Sequence, residues 1–230
     1  YAWFANLITA PLQQIVTRSG TLSEEISREL LTNIQEGMVA MLSEQAAAIP
    51  VTERSELALD WLNGRRTPDA NQELKAAITE LDLGSDAAAI FRALAEATCF
   101  GARKIVDCFK DQGVPVKGLI GLGGVARKSP FIMQMMADVM NMPIRIHRSE
   151  QTCAIGAAMF AAVAAGIHPT LEASMKAMGQ GFDLEYFPDP EKSAIYTRRY
   201  QRYGALGTFV ENRLPESAAP AQRAASQENM

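Results

Sequence analysis

Apolar positions along this chain already outline its elements. From Ala2 to Val16, and again from Leu22 to Ala48, they recur every three or four residues, as at Ile26, Leu30, Ile34, Met38 and Met41. That spacing lays one apolar stripe along a helix. Pro50 ends this region, because the residue before a proline avoids helical geometry. Leu57, Leu59 and Trp61 alternate with Ala58, Asp60 and Leu62, which predicts a short strand running into the turn-rich segment 63–69. Asp86 is placed to cap a long helix reaching about Gln112, with Gly113 as its stop. Within that helix Ala93, Ala97 and Gly101 fall four apart, a ridge of small residues that lets another element come close.

A strand from Val116 to Leu122, a glycine pair, a helix from Pro130 to Asn141, a strand from Pro143 to His147 and an Ala-rich helix from Ala154 to Ala165 follow. Strands alternating with helices of this length predict an α/β domain whose crossover helices cover a sheet. Beyond Pro169 the pattern reads as helix, interrupted at Phe187-Pro188-Asp189-Pro190, with a last helix from Glu191 to Val210. Residues 1–211 then form the domain. Residues 212–230, rich in Ala, Gln, Ser and Pro, are expected to be disordered.

Composition narrows the function classes. The 230 residues are 48% hydrophobic, enough for a sizeable core, and the net charge of −4 offers no basic stripe for a nucleic-acid backbone. The strongest apolar run, Ala154 to Ile167, falls well short of the roughly 20 residues that span a bilayer and reads as a buried helix. Neither nucleic acid nor a membrane is expected as a partner. Three cysteines fit no zinc or disulfide pattern, so a reducing, cytoplasmic compartment is expected. The two histidines, His147 and His168, do not supply a triad or a metal site. The first residue is not Met and the chain opens inside a helical pattern, so we expect a segment of a longer protein.

The segment with most chemistry is Leu119-Ile120-Gly121-Leu122-Gly123-Gly124-Val125-Ala126-Arg127-Lys128-Ser129-Pro130. It reads as a buried strand delivered into two glycines and then a helix. Without a Cβ, Gly123 and Gly124 let backbone amides approach a phosphate or nucleoside closely. Ser129 suits an N-cap and Pro130 a first helical residue, so a positive helix end should open beside the loop. Arg127 and Lys128 add cations at the same rim. The pattern is neither GxxxxGK[ST] nor GxGxxG, and the residues alone leave nucleotide binding and a tight strand-to-helix turn both open.

Four segments in order add to this. The stretch LGGVARKSPFIMQMMADVMNMPI resembles the adenosine-binding loop and following helix of the FGGY family of carbohydrate kinases, and RSEQTCAIGAAMFAAVAAG its closing helix. DWLNGRRTPDAN resembles the family's Gly-x-Arg-Thr-Pro loop in the form typical of L-ribulokinases, and ALAEATCFGARKIVDCF the long helix before the nucleotide loop. The resemblance implies an actin- and Hsp70-like (ribonuclease H-like) carboxy-terminal domain: an α/β fold with its sheet flanked by helices and an amino-terminal helical segment. It implies a kinase that uses ATP and Mg2+ to phosphorylate a ketopentose, L-ribulose first, in arabinose catabolism. Another polyol or ketose kinase, or a module that binds nucleotide without catalysis, is the alternative.

Carried over by position, the resemblance puts Gly123 and Gly124 under the α-phosphate and ribose. Lys128 stands where relatives have an adenosine-contacting Asn, with Arg127 the alternative. Ala2 stands where glycerol kinases place an adenine-side Gln. The catalytic Asp, the phosphate-binding hairpin and the sugar-contacting acid belong to family segments outside this chain, so no catalytic residue is assigned and the chain alone is expected to be inactive.

Other candidates read more plainly. Arg65 and Arg66 sit on a loop that could face the cleft or be salt-bridged, and Asp138 and Glu150 read as surface or capping carboxylates. Met133, Met135, Met136, Met140 and Met142 read as adaptable core. Tyr196, Tyr200 and Tyr203 with Arg198, Arg199 and Arg202 suggest a docking helix or a homo-oligomer contact.

Overall fold

The computed structural model describes residues 2–19, 23–149 and 151–213. Tyr1, Leu22, Glu150 and most of the expected disordered tail lie outside them. In chain order the elements are α1 (Ala2–Ser19), α2 (Glu24–Ala48), β1 (Leu57–Leu59), β2 (Ala77–Thr79), α3 (Ala87–Asp111), β3 (Leu119–Gly121) and α4 (Gly123–Lys128). There follow α5 (Pro130–Met140), β4 (Ile144–His147), α6 (Thr152–Ala164), α7 (Leu171–Met178), β5 (Phe182–Tyr186) and α8 (Pro190–Glu211). They divide into two units, Tyr1–Cys108 with Ala194–Met230, and Phe109–Ser193.

In the first unit, the expected cap acts. Asp86 Oδ1 accepts the Ala89 amide at 2.8 Å, and Ser23 Oγ, not singled out by the sequence, accepts the Ile26 amide, each satisfying a first-turn donor. β1 pairs antiparallel with β2, a strand the sequence pattern did not reveal. All three residues of β1 are buried, so the expected in-out alternation is absent. The small-residue ridge works as expected: Ala93 and Ala97 are buried, and a Cβ on Gly101 would stand 4.0 Å from the Tyr203 hydroxyl. Phe100 meets the rings of Tyr196, Tyr200 and Tyr203, with centroids 5.4–6.3 Å away. Tyr196 and Tyr203 are thus core residues, and the helix docks by its aromatic side inside its own unit.

Beneath those rings lies a buried charge network. Glu96 and Arg199 are each 1% exposed, and Arg199 donates to Glu96 Oε2. Its other donors reach the carbonyls of Thr52, Glu53, Ser55 and Glu56. Arg92 donates to Glu96 Oε1, to the Ala46 and Ile49 carbonyls and to the Tyr196 hydroxyl. The segment after α2 is therefore pinned by two guanidinium groups that satisfy its turn carbonyls.

The second unit holds a three-stranded sheet of order β3-β4-β5, parallel between β3 and β4 and antiparallel between β4 and β5. Ala126, Ile132, Met133, Ala137, Ile144 and Ile146 form its core, which bears out the methionine helix as packing. Asn141, left-handed at φ 49°, closes α5.

Three expectations fail here. β5 occupies a stretch read as helix, because antiparallel pairing with β4 supplies backbone partners that local propensity does not reveal. β3 is not buried, since Ile120 is 58% exposed. α6, read as a buried helix, buries only Ala162 and leaves Phe160 64% exposed.

Candidate functional site

The glycine segment carries two kinds of glycine. A Cβ on Gly121 would stand 2.7 Å from Ile146 Cδ1 and 3.2 Å from Ala126 Cβ, so its hydrogen is required for strand-to-helix packing. Over Gly123 and Gly124 nothing lies within 4 Å of where a Cβ would be. Leu122 is extended, Gly123 turns the chain at φ +78°, a conformation that glycine adopts freely, and α4 begins at once. The expected loop is therefore the first turn of a short helix. Half-buried Gly123 and exposed Gly124, with open space at both Cβ positions, leave its backbone open to close approach.

Ser129 stands at the expected N-cap position of α5, where its carbonyl accepts the Met133 amide at 3.1 Å, but its side chain makes no cap bond. Its φ of −127° and ψ of 80° make the break between α4 and α5, its amide donates to the Val125 carbonyl, and its hydroxyl, although buried, has no partner among the described residues.

Arg127 and Lys128, adjacent in sequence, are used differently. Arg127 Nη1 donates to the His147 carbonyl at 3.3 Å, to the Arg148 carbonyl at 2.8 Å and to Asp183 Oδ2 at 3.0 Å. It fastens α4 to the ends of β4 and β5. Lys128 is exposed and has no ion pair among the described residues. Asp183 escaped sequence reasoning; the period-two pattern Phe182, Leu184, Tyr186 after Gly179 and Gly181 was the signal that could have found its strand.

Ala2 is exposed at the start of α1, in the unit that does not contain the glycines. Arg65 is committed: it donates to the Asp69 carbonyl at 2.6 Å, pairs with Glu211 and lies over the Trp61 ring at 5.3 Å. Arg66, beside it, is exposed. Asp138 is buried rather than superficial, and its Oδ1 accepts the Asp189 amide and the Gln134 side chain, each at 2.8 Å. Burial pushes its carboxyl above the ordinary range, against those two hydrogen bonds. Among the described residues no group of three or more His, Cys, Asp or Glu side chains could hold a metal ion, and no helix is long and apolar enough to cross a membrane.

Comparison with known proteins identifies the family. Residues 7–165 match the family model described as the FGGY family of carbohydrate kinases, C-terminal domain. Ribulokinase of Vibrio parahaemolyticus is 45% identical over 214 residues, 92% of this chain and 36% of that protein. Ribulokinase of Halalkalibacterium halodurans is 43% identical over 174 residues, 74% of this chain and 31% of that protein. The chain spans about a third of the length of the curated relatives it matches. Among solved structures, xylulose kinase from Rhodospirillum rubrum superposes with a TM-score of 0.68 at 25% identity, over 91% of this chain and 37% of that one. Glycerol kinase from Plasmodium falciparum, solved with ADP, superposes with a TM-score of 0.61 at 22% identity, over 77% of this chain and 34% of that one. The expected actin- and Hsp70-like α/β architecture is the fold of this chain. With a family model covering more than half of the chain and ribulokinases this similar, the chain belongs to the FGGY family of carbohydrate kinases and carries that family's C-terminal domain.

Proposed function

We propose that this chain is the nucleotide-binding part of a kinase that transfers the γ-phosphoryl of ATP to L-ribulose, giving L-ribulose 5-phosphate. The observation that carries the nucleotide half is the open backbone at Gly123 and Gly124, where a Cβ would meet nothing and amides can approach a phosphate or ribose. The sugar half rests on the ribulokinase relatives. ATP supplies the phosphoryl group; this chain's residues hold and orient the nucleotide.

In that role Arg127 is a positioning residue. Its guanidinium is engaged by two carbonyls and Asp183, so it fixes where Gly123 and Gly124 stand. Lys128, exposed on the same turn, is the cation that reaches the nucleotide. Mg2+ would enter with the nucleotide phosphates, as it does in sites that coordinate it through substrate oxygens. The base and the sugar-contacting groups belong to the family's amino-terminal part, and the compartment we propose is the cytoplasm.

A chimera tests this. With this chain in place of the matching segment of V. parahaemolyticus ribulokinase, ATP-dependent phosphorylation should be retained on L-ribulose and be weaker on D-xylulose and glycerol. Turnover of D-xylulose in preference to L-ribulose would overturn the substrate assignment.

A further inference from the structure

A cavity of about 530 Å³ lies within the first unit, apart from the glycine site. Its walls are α3 and α8, its roof the loop that carries Arg66 and Pro68. The volume falls within the range of ligand clefts, roughly 300–1,000 Å³. Gly101, Gly204 and Gly207 keep the walls thin, and Trp61 and Tyr203 give them aromatic surface.

Among the polar lining groups Asp60, half-buried, takes the exposed Thr98 hydroxyl at 3.1 Å on Oδ2. Burial raises its carboxyl above the usual range, and burial, with the nearby Asp60 charge, pushes the Tyr203 phenol up to about 12. A carboxylate with one side-chain donor keeps acceptor positions for further hydroxyls. Three cations line the cavity, two of them already used: Arg65 is held by Glu211, and Lys104 pairs with Asp69 at 2.7 Å. Arg66 has no ion pair among the described residues and is exposed. A half-buried carboxylate acceptor, an apolar aromatic wall and an exposed guanidinium with no ion pair among the described residues suit a molecule with hydroxyls at one end and an anion at the other.

We propose that this cavity is a second small-molecule site, for a polyhydroxylated monophosphate: a sugar phosphate with its hydroxyls toward Asp60 and its phosphate at Arg66. Guanidinium recognises such an oxyanion through paired N–H donors. The site shares no residue with the nucleotide loop and does not depend on nucleotide binding there.

The sequence has two tryptophans, so Trp3→Phe leaves Trp61, a lining residue, as the sole indole reporter. In that background, ribose 5-phosphate should change the emission saturably, with ribose and inorganic phosphate each at least tenfold weaker. Arg66→Ala, an exposed change that leaves the fold intact, should weaken the response about tenfold; Asp60→Asn should narrow the preference for the phosphorylated sugar over phosphate; Gly124→Val should leave it unchanged. No saturable response at millimolar ribose 5-phosphate, an equal response to inorganic phosphate, or an unaltered affinity in Arg66→Ala would overturn the proposal.

Discussion

Arg199→Met is the most informative single change in the first unit. The side chain is 1% exposed and faces Glu96, also 1% exposed, while its remaining donors cover the carbonyls of residues 52, 53, 55 and 56. Methionine keeps much of the apolar volume and removes every donor. Glu96 then retains Arg92, whose Nε lies 3.1 Å from Oε1, but its second oxygen loses its partner. Removing one member of a buried pair costs about 3–5 kcal/mol, mostly the penalty of the charge left behind. Urea unfolding followed by tryptophan emission measures the loss, since Trp3 and Trp61 both belong to the first unit. Adding Glu96→Gln removes the orphaned charge and should recover part of the loss, so the double-mutant cycle should show coupling. A loss below about 1 kcal/mol, the level of an exposed ion pair, would refute the assignment of Arg92, Glu96 and Arg199 as the lock on residues 49–56.

Other outcomes follow from the second unit. Burial raises the Asp138 carboxyl above its unfolded value, so that group favours folding least once pH has risen through its folded pKa. Asp138→Asn, which can still accept on one oxygen, should match the parent in thermal unfolding near pH 3 and exceed it near pH 7; a variant less stable near pH 7 would contradict this. Gly121→Ala forces a methyl to 2.7 Å from Ile146, which is itself fully buried, and should cost on the order of 1–3 kcal/mol in denaturant unfolding. Lys128→Ala should weaken ADP binding severalfold with little change in stability. Asp183→Asn, which loosens the hold on Arg127, should lower ADP affinity by a smaller factor.

Periodicity revealed α2, α3, α5 and α8 because each has a local stripe with a local stop: Asp86 before α3, Gly113 after it, Pro50 after α2. β5 was missed for the opposite reason. Phe182, Leu184 and Tyr186 alternate over only five residues, and its hydrogen bonds come from β4, some 40 residues earlier by the pairing of Arg145 with Glu185. The site divides the same way. Gly123 and Gly124 were legible as a motif, whereas the split between Arg127 and Lys128 was not. Arg127 reaches carbonyls at His147 and Arg148 and a carboxylate at Asp183, and no spacing within residues 119–130 encodes those partners. The Tyr and Arg pattern of α8 was seen, but only Phe100 and Glu96 on α3 show that its aromatic face is turned inward.

Calorimetric titration of Mg2+–ADP into the protein and into Gly124→Val tests the central claim most directly. Gly124 is exposed and a Cβ there meets nothing, so valine should leave the fold intact while filling the space a nucleotide would take. Heat of binding in the parent that is lost in the variant is the expected result. No binding by the parent, or equal binding by both, would contradict a nucleotide site at Gly123 and Gly124.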